Sequence, residues 1–130
     1  MLRYFYNNDK VNYVDDSNRF AGFDMMRHCC ESFGHGVYDL NGQKLSPDDD
    51  NEWPWLNFAE CPPVEDDGAE LARLSGDDDL LCADCGGMVR FKLVNSFGVH
   101  KAWLVFYNAH NGYYSHTGEY NMSKGSEFSL

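Results

Sequence analysis

From Met88 to Val94 apolar and charged side chains alternate, Val89, Phe91 and Leu93 against Arg90 and Lys92. A period of two places one set on each face of a β-strand. Asn95-Ser96-Phe97-Gly98 has the turn chemistry of a hairpin link, and His100 to Tyr107 returns as an aromatic and β-branched run. A chain with this hairpin at its strongest point is committed to an antiparallel sheet centred on these two strands. Aromatic residues make up 15% of the sequence, and nine Phe with eight Tyr favour strands and argue against a disordered chain.

The rest of the chain follows the same pattern. Leu2 to Tyr6, Val11 to Val14 and Arg19 to His28 read as strands, with a polar turn at Asp15-Asp16-Ser17-Asn18. Ser32-Phe33-Gly34-His35-Gly36 reads as a break, Val37 to Leu40 as a short apolar piece, and Tyr113 to His116 and Glu119 to Met122 as further short strands. Glu65 to Leu74 has a weak apolar face suited to one short helix. The tail 123–130 reads as loose, and its Gly125-Ser126-Glu127-Phe128 has the composition of a cloning remnant. At 130 residues the expectation is a single domain, 1–130, of α+β class and mainly β: a twisted antiparallel sheet with one short helix.

Charge divides the chain. Residues 48–84 hold thirteen acids against one base, Arg73, a net of −12 within a chain whose total is −11. The remainder is therefore close to neutral. The acids cluster as Asp48-Asp49-Asp50, Glu65-Asp66-Asp67 and Asp77-Asp78-Asp79, and Trp53, Trp55 and Phe58 lie among them as apolar anchors. A charge run is ordinarily a solvated loop. Concentration in one anchored insert favours instead a surface that fills a Lys/Arg-lined groove built for nucleic acid, and it disfavours direct nucleic-acid binding.

The insert ends at Cys82-Ala83-Asp84-Cys85-Gly86-Gly87. Two thiols two residues apart, followed by glycine and then a strand, suit a zinc knuckle; a redox motif would need a helix after the first thiol. Five cysteines and no apolar run of export-signal length argue against a disulfide framework and for a cytosolic protein. Tetrahedral zinc needs two further ligands. Cys61, isolated before Pro62-Pro63, is the third, and Cys30 the fourth, with His28 and Cys29 as alternatives. With Cys30, Cys61, Cys82 and Cys85 all filled no position is open to water, so the expected zinc is structural and clamps the acidic insert to the sheet.

Other constellations point less far. Asn108-Ala109-His110-Asn111-Gly112 with His116 has the His and Asn content of metal-dependent nucleases, but Gly112 and the paired tyrosines read as a turn with surface histidines. A metal-dependent hydrolase using His28, His110 and His116 is the enzymatic alternative, and a plain acidic interaction module the other. His35 and His100 suggest nothing.

Cys29-Cys30-Glu31, Phe91-Lys92-Leu93, Trp103 to Tyr107 and Asn111-Gly112-Tyr113-Tyr114-Ser115 resemble elements of a family of small proteins of unknown function from bacteria and their phages. The resemblance covers about half the chain and leaves out Cys61 and the Cys82/Cys85 knuckle. By type, a small acidic metal-containing protein of this kind is similar to the zinc-containing anti-CRISPR inhibitors of the type II effector nuclease. That implies a non-enzymatic inhibitor acting in the cytoplasm of a bacterial host, binding the nuclease and blocking DNA loading.

Overall fold

The computed structural model describes residues 1–26, 32–48, 51–66, 87–109 and 116–130. The strands in chain order are β1 (Leu2–Asn7), β2 (Lys10–Val14), β3 (Phe20–Asp24), β4 (Ser32–Asp39), β5 (Glu52–Trp53), β6 (Asn57–Phe58), β7 (Val64–Asp66), β8 (Gly87–Val94), β9 (His100–Ala109), β10 (Thr117–Tyr120) and β11 (Ser126–Ser129). They form two sheets rather than the one expected. The first runs β11-β10-β3-β2-β1-β5; the second runs β4-β9-β8-β6, with β7 also on β8. Every pairing is antiparallel. The protein is mainly β.

The β8–β9 hairpin is where the sequence places it. Its turn is closed by the Asn95 side chain, which accepts hydrogen bonds from Phe97 N (2.9 Å) and Val99 N (3.0 Å), while Gly98 takes φ +77°. Alternation then directs Val89, Phe91 and Leu93 of β8, with Ala102, Leu104 and Phe106 of β9, into the core. The first sheet supplies Leu2, Val11, Tyr13, Ala21 and Phe23 to the same core. Phe106 is its meeting point: its ring lies 5.0 Å from Phe23, and 5.9 Å from each of Tyr13, Phe91 and Phe128. Two inner faces of alternating apolar residues packed together make a β-sandwich.

Several expectations are corrected. The supposed break at Ser32–Gly36 is the first half of β4. Its glycines mark close approach, since a Cβ on Gly34 would stand 2.7 Å from the Tyr107 hydroxyl. The helix expected over 65–74 begins as a strand: Val64, Glu65 and Asp66 pair with Arg90, Val89 and Met88. Residues 67–74 lie outside the described residues. Pro62-Pro63 interrupts the edge after β6, and β7 then resumes pairing along the same edge of β8. Among the described residues the helical content is one 3-10 turn, Met122–Lys124.

The tail is likewise ordered. β11 pairs with β10 throughout, and Phe128 is 6% exposed in the central cluster, its ring filling the space that Gly118 leaves. His116 and Leu130 exchange both backbone hydrogen bonds at 2.8 Å. Phe128→Ala should therefore cost about 3–5 kcal/mol in urea unfolding, as for a buried ring. A loose tail would give less than about 0.5 kcal/mol.

Candidate functional site

The described part of the acidic insert is woven into both sheets. Asp48 opens a tight turn: its carbonyl accepts from Asn51 N (2.9 Å), its N–H donates to Glu52 O (2.8 Å), and Asn51 takes φ +59°. β5 then joins β1, Leu2 opposite Trp53 and Arg3 opposite Glu52, while β6 and β7 lie on β8. Trp53, Leu56 and Phe58 are buried in the core, and Trp53 Nε1 donates to Leu45 O (3.1 Å). Trp55, expected as an anchor beside them, is half exposed.

A buried carboxylate completes the attachment. Asp15, in the β2–β3 turn, accepts from Ser17 N (2.9 Å), Arg19 N (3.0 Å), Arg19 Nε (2.9 Å) and Phe58 N (3.0 Å). The last of these crosses from the first sheet to β6 of the second. Four donors around one carboxylate compensate its removal from water. Asp15→Ala strands the Phe58 amide and the Arg19 guanidinium, and should cost about 3–5 kcal/mol in chemical denaturation.

Asp48 and Glu65 are exposed, and Asp66 is the last residue of β7. Asp49, Asp50, Asp67, Asp77, Asp78 and Asp79 lie outside the described residues. So do Cys30, Cys82 and Cys85, together with the alternatives His28, Cys29 and His110. Cys61 is described, half-buried and a free thiol. No group of three or more metal-ligating side chains occurs among the described residues.

The register nonetheless bears on the thiols. Phe33 of β4 and Gly87 of β8 are both paired with Asn108 of β9, one on each side. β4 and β8 therefore start at the same end of the sheet, two strand spacings apart, or about 10 Å. Cys30 precedes Ser32 by two residues, and Cys85 precedes Gly87 by two. Cys61 belongs to a different level. Ala59 N donates to Lys92 O, five residues along β8 from Gly87, which at about 3.3 Å per residue is about 16 Å away.

A cavity of about 120 Å³ has walls from both sheets, including Tyr4, Tyr13, His35, Val37, Lys44 and Trp53. His35, which sequence reading passed over, bridges the sheets there. Its Nε2 bonds the Tyr6 hydroxyl (2.8 Å) and its Nδ1 the Tyr13 hydroxyl (2.6 Å). A neutral imidazole, a donor at one nitrogen and an acceptor at the other, fits such a pair. Tyr4 stacks on Tyr13 at 5.3 Å and lies 5.7 Å from Trp53. Alternation in the first hairpin does put Tyr4, Tyr6 and Tyr13 on one face, but the pairing with His35 depends on inter-sheet packing, which no local pattern reports.

The other two histidines among the described residues have structural partners. His116 is buried rather than on the surface: it stacks on Phe33 at 4.2 Å, and its Nδ1–H donates to Asp24 O at 2.7 Å. His100 donates through Nε2 to Ala102 O (3.0 Å) and meets Trp103 edge-on at 4.5 Å. No helix among the described residues is long and apolar enough to cross a membrane. No family model, curated protein or solved structure matches the chain.

Burial first, and then the Lys44 charge, lower the His35 pKa from 6.5 to about 4. The native state thus resists a proton that the unfolded chain accepts. Stability from this group is complete above pH 6.5 and is lost as pH falls toward 4, by up to about 3 kcal/mol. Urea titrations between pH 7.5 and 4 should show this loss in the parent, and His35→Gln should remove that component of the slope.

Proposed function

We propose that this β-sandwich is a non-enzymatic binding protein whose acidic insert occupies a basic, nucleic-acid-binding surface of a nucleic-acid-handling protein. The partner class is a type II CRISPR effector nuclease, and the consequence is blocked DNA loading. The observation that carries this reading is the attachment of the insert. The chain's −12 segment is held at Trp53, Leu56 and Phe58 in the core and along the β8 edge through β6 and β7. Carboxylates mounted on such a frame keep a fixed spacing and spend no tether entropy on binding, which is what competition with a phosphate backbone requires.

Zinc belongs to the same proposal. Cys30, Cys82 and Cys85 lie two to five residues in sequence from strands that flank Asn108, within reach of a common ion. Cys61 is the remaining candidate ligand, and its place further along β8 makes it the thiol to test separately. Zinc bound by thiolates would tie the end of the insert to the sheet without taking part in chemistry.

Asp77-Asp78-Asp79→Lys-Lys-Lys should weaken binding to a purified type II effector at least tenfold by calorimetry and flatten its salt dependence. Equal binding and equal inhibition by the triple variant would exclude the acidic surface as the contact. In metal analysis of purified protein, about one zinc per chain should be present and should be lost in Cys30→Ser, Cys82→Ser and Cys85→Ser. Retention of zinc by Cys61→Ser would exclude Cys61 as a ligand, and retention by Cys30→Ser would move the fourth ligand to His28 or Cys29.

A further inference from the structure

The acidity of this chain has a counterpart. Between Asp84 and Glu119 the sequence contains no acid and three bases, Arg90, Lys92 and Lys101, all on the β8–β9 hairpin. Lys92 is directly opposite Trp103, so the two share the sheet face turned away from the core. Arg90 belongs to that face as well, its guanidinium 4.5 Å above the Trp103 ring. A register shift after Leu93 leaves Lys101 as the extra residue of a bulge, two positions from Trp103. A bulge re-aims neighbouring side chains, and His100 accordingly reaches Trp103. The charges are close enough to be felt: burial, then Lys92 and Arg90, lower the His100 pKa against the opposing hydrogen bond to Ala102.

Lys92 and Lys101 are exposed and have no ion pair among the described residues. At the hairpin tip Phe97 is 88% exposed and Val99 half exposed, beside a groove of about 440 Å³ that the tip shares with Asp16, Arg19 and Glu60. The surface therefore combines fixed cations, an aromatic ring held under a guanidinium, and a ring at the tip with its faces open. Lysines for phosphates and an unoccupied aromatic face for a base are the two components of sequence-tolerant single-strand binding.

We infer that the outer face and tip of the β8–β9 hairpin form a binding surface for single-stranded nucleic acid, with Lys92 and Lys101 contacting phosphates and Phe97 stacking on a base. The net charge of −11 conceals this pole because residues 48–84 alone carry a net of −12. It is separate from the acidic surface proposed above and stands or falls independently of it.

Fluorescence anisotropy with labelled twelve-residue oligo-dT and oligo-U at low salt tests the inference on the full chain. Both probes should bind. Lys92→Gln/Lys101→Gln should weaken binding at least tenfold and reduce the slope of log K against log salt by about 1.4, the loss of two phosphate contacts on a single strand. Phe97→Ser should weaken binding about fivefold or more with the slope unchanged. All three positions are exposed, and thermal unfolding of the variants will show that the fold is kept. The inference is overturned if the parent binds neither probe, or if the double variant binds as tightly as the parent. Preference for polyglutamate or for phosphatidylserine vesicles over both oligonucleotides overturns it too, by assigning the face to an acidic protein or a membrane. The Asp77-Asp78-Asp79→Lys-Lys-Lys chain should bind oligonucleotides at least as well as the parent, so failure of one proposal leaves the other readable.

Discussion

Everything described here depends on how the two sheets meet at Phe106. Its ring touches Tyr13 and Phe23 from one sheet, Phe91 from its own, and Phe128 from the last strand of the chain. Tyr13, Phe23, Phe91 and Phe128 are each next in sequence to a polar or charged residue of the opposite face, Asn12, Asp24, Lys92 and Glu127, so a one-residue slip in any of these strands would bury a polar group and expose a ring. The β8–β9 register runs over eight pairs, and it settles Phe91 and Phe106 together. The remaining strands then have one arrangement that closes the core, and β11 is part of it because without Phe128 the Phe23, Phe91 and Phe106 rings lose a common neighbour.

The same closure explains why so acidic an insert is tolerated. Mutual repulsion among carboxylates favours their separation. Opposing this, the segment buries Trp53, Leu56 and Phe58, and fully burying a side chain of this size is worth about 1.5–3 kcal/mol. Asp15 adds a bond to the Phe58 amide from inside the sandwich. Among the described residues of the insert, Asp48 and Glu65 are exposed at a turn and an edge, while Trp53, Leu56 and Phe58 between them are core, which makes this part of the insert part of the fold.

What could be read from the sequence was what depends on neighbours in the sequence. Alternation in 88–94 and the Asn95 turn gave β8 and β9, and Trp53 and Phe58 stood out as anchors because apolar residues in a charged stretch need burial. Gly34 and Gly36 looked like a break because a strand glycine is recognisable only when its covering side chain, here Tyr107 or Lys44, is known. The tail looked expendable because Phe128 is a lone apolar residue among polar ones, and one ring carries no period. The bridge between His35 and two tyrosines of the opposite sheet left no trace in the sequence order. Cys61 could be seen as a thiol of interest, but its distance along β8 from the start of that strand could not.

Net charge misleads for a related reason: it averages over surfaces that the fold keeps apart. An even spread of 21 acids would place several on any pair of strands as long as β8 and β9, yet these carry none. Among the described residues the acids lie on β3, β4, β5, β7, β10 and β11 and in the connections, and the hairpin carries cations alone. By register Glu65 of β7 is opposite Val89, one residue along β8 from Arg90, and Asp66 is opposite Met88, two residues from it. A surface with two poles is matched poorly by a bare basic protein or by bare nucleic acid, since each would repel one pole. A complex of the two offers both signs at once, a Lys/Arg-lined groove beside an exposed strand. On the two proposals above, an effector nuclease carrying its nucleic acid would have that composition, and the acidic insert and the cationic hairpin would act on one target without either having to overcome the other.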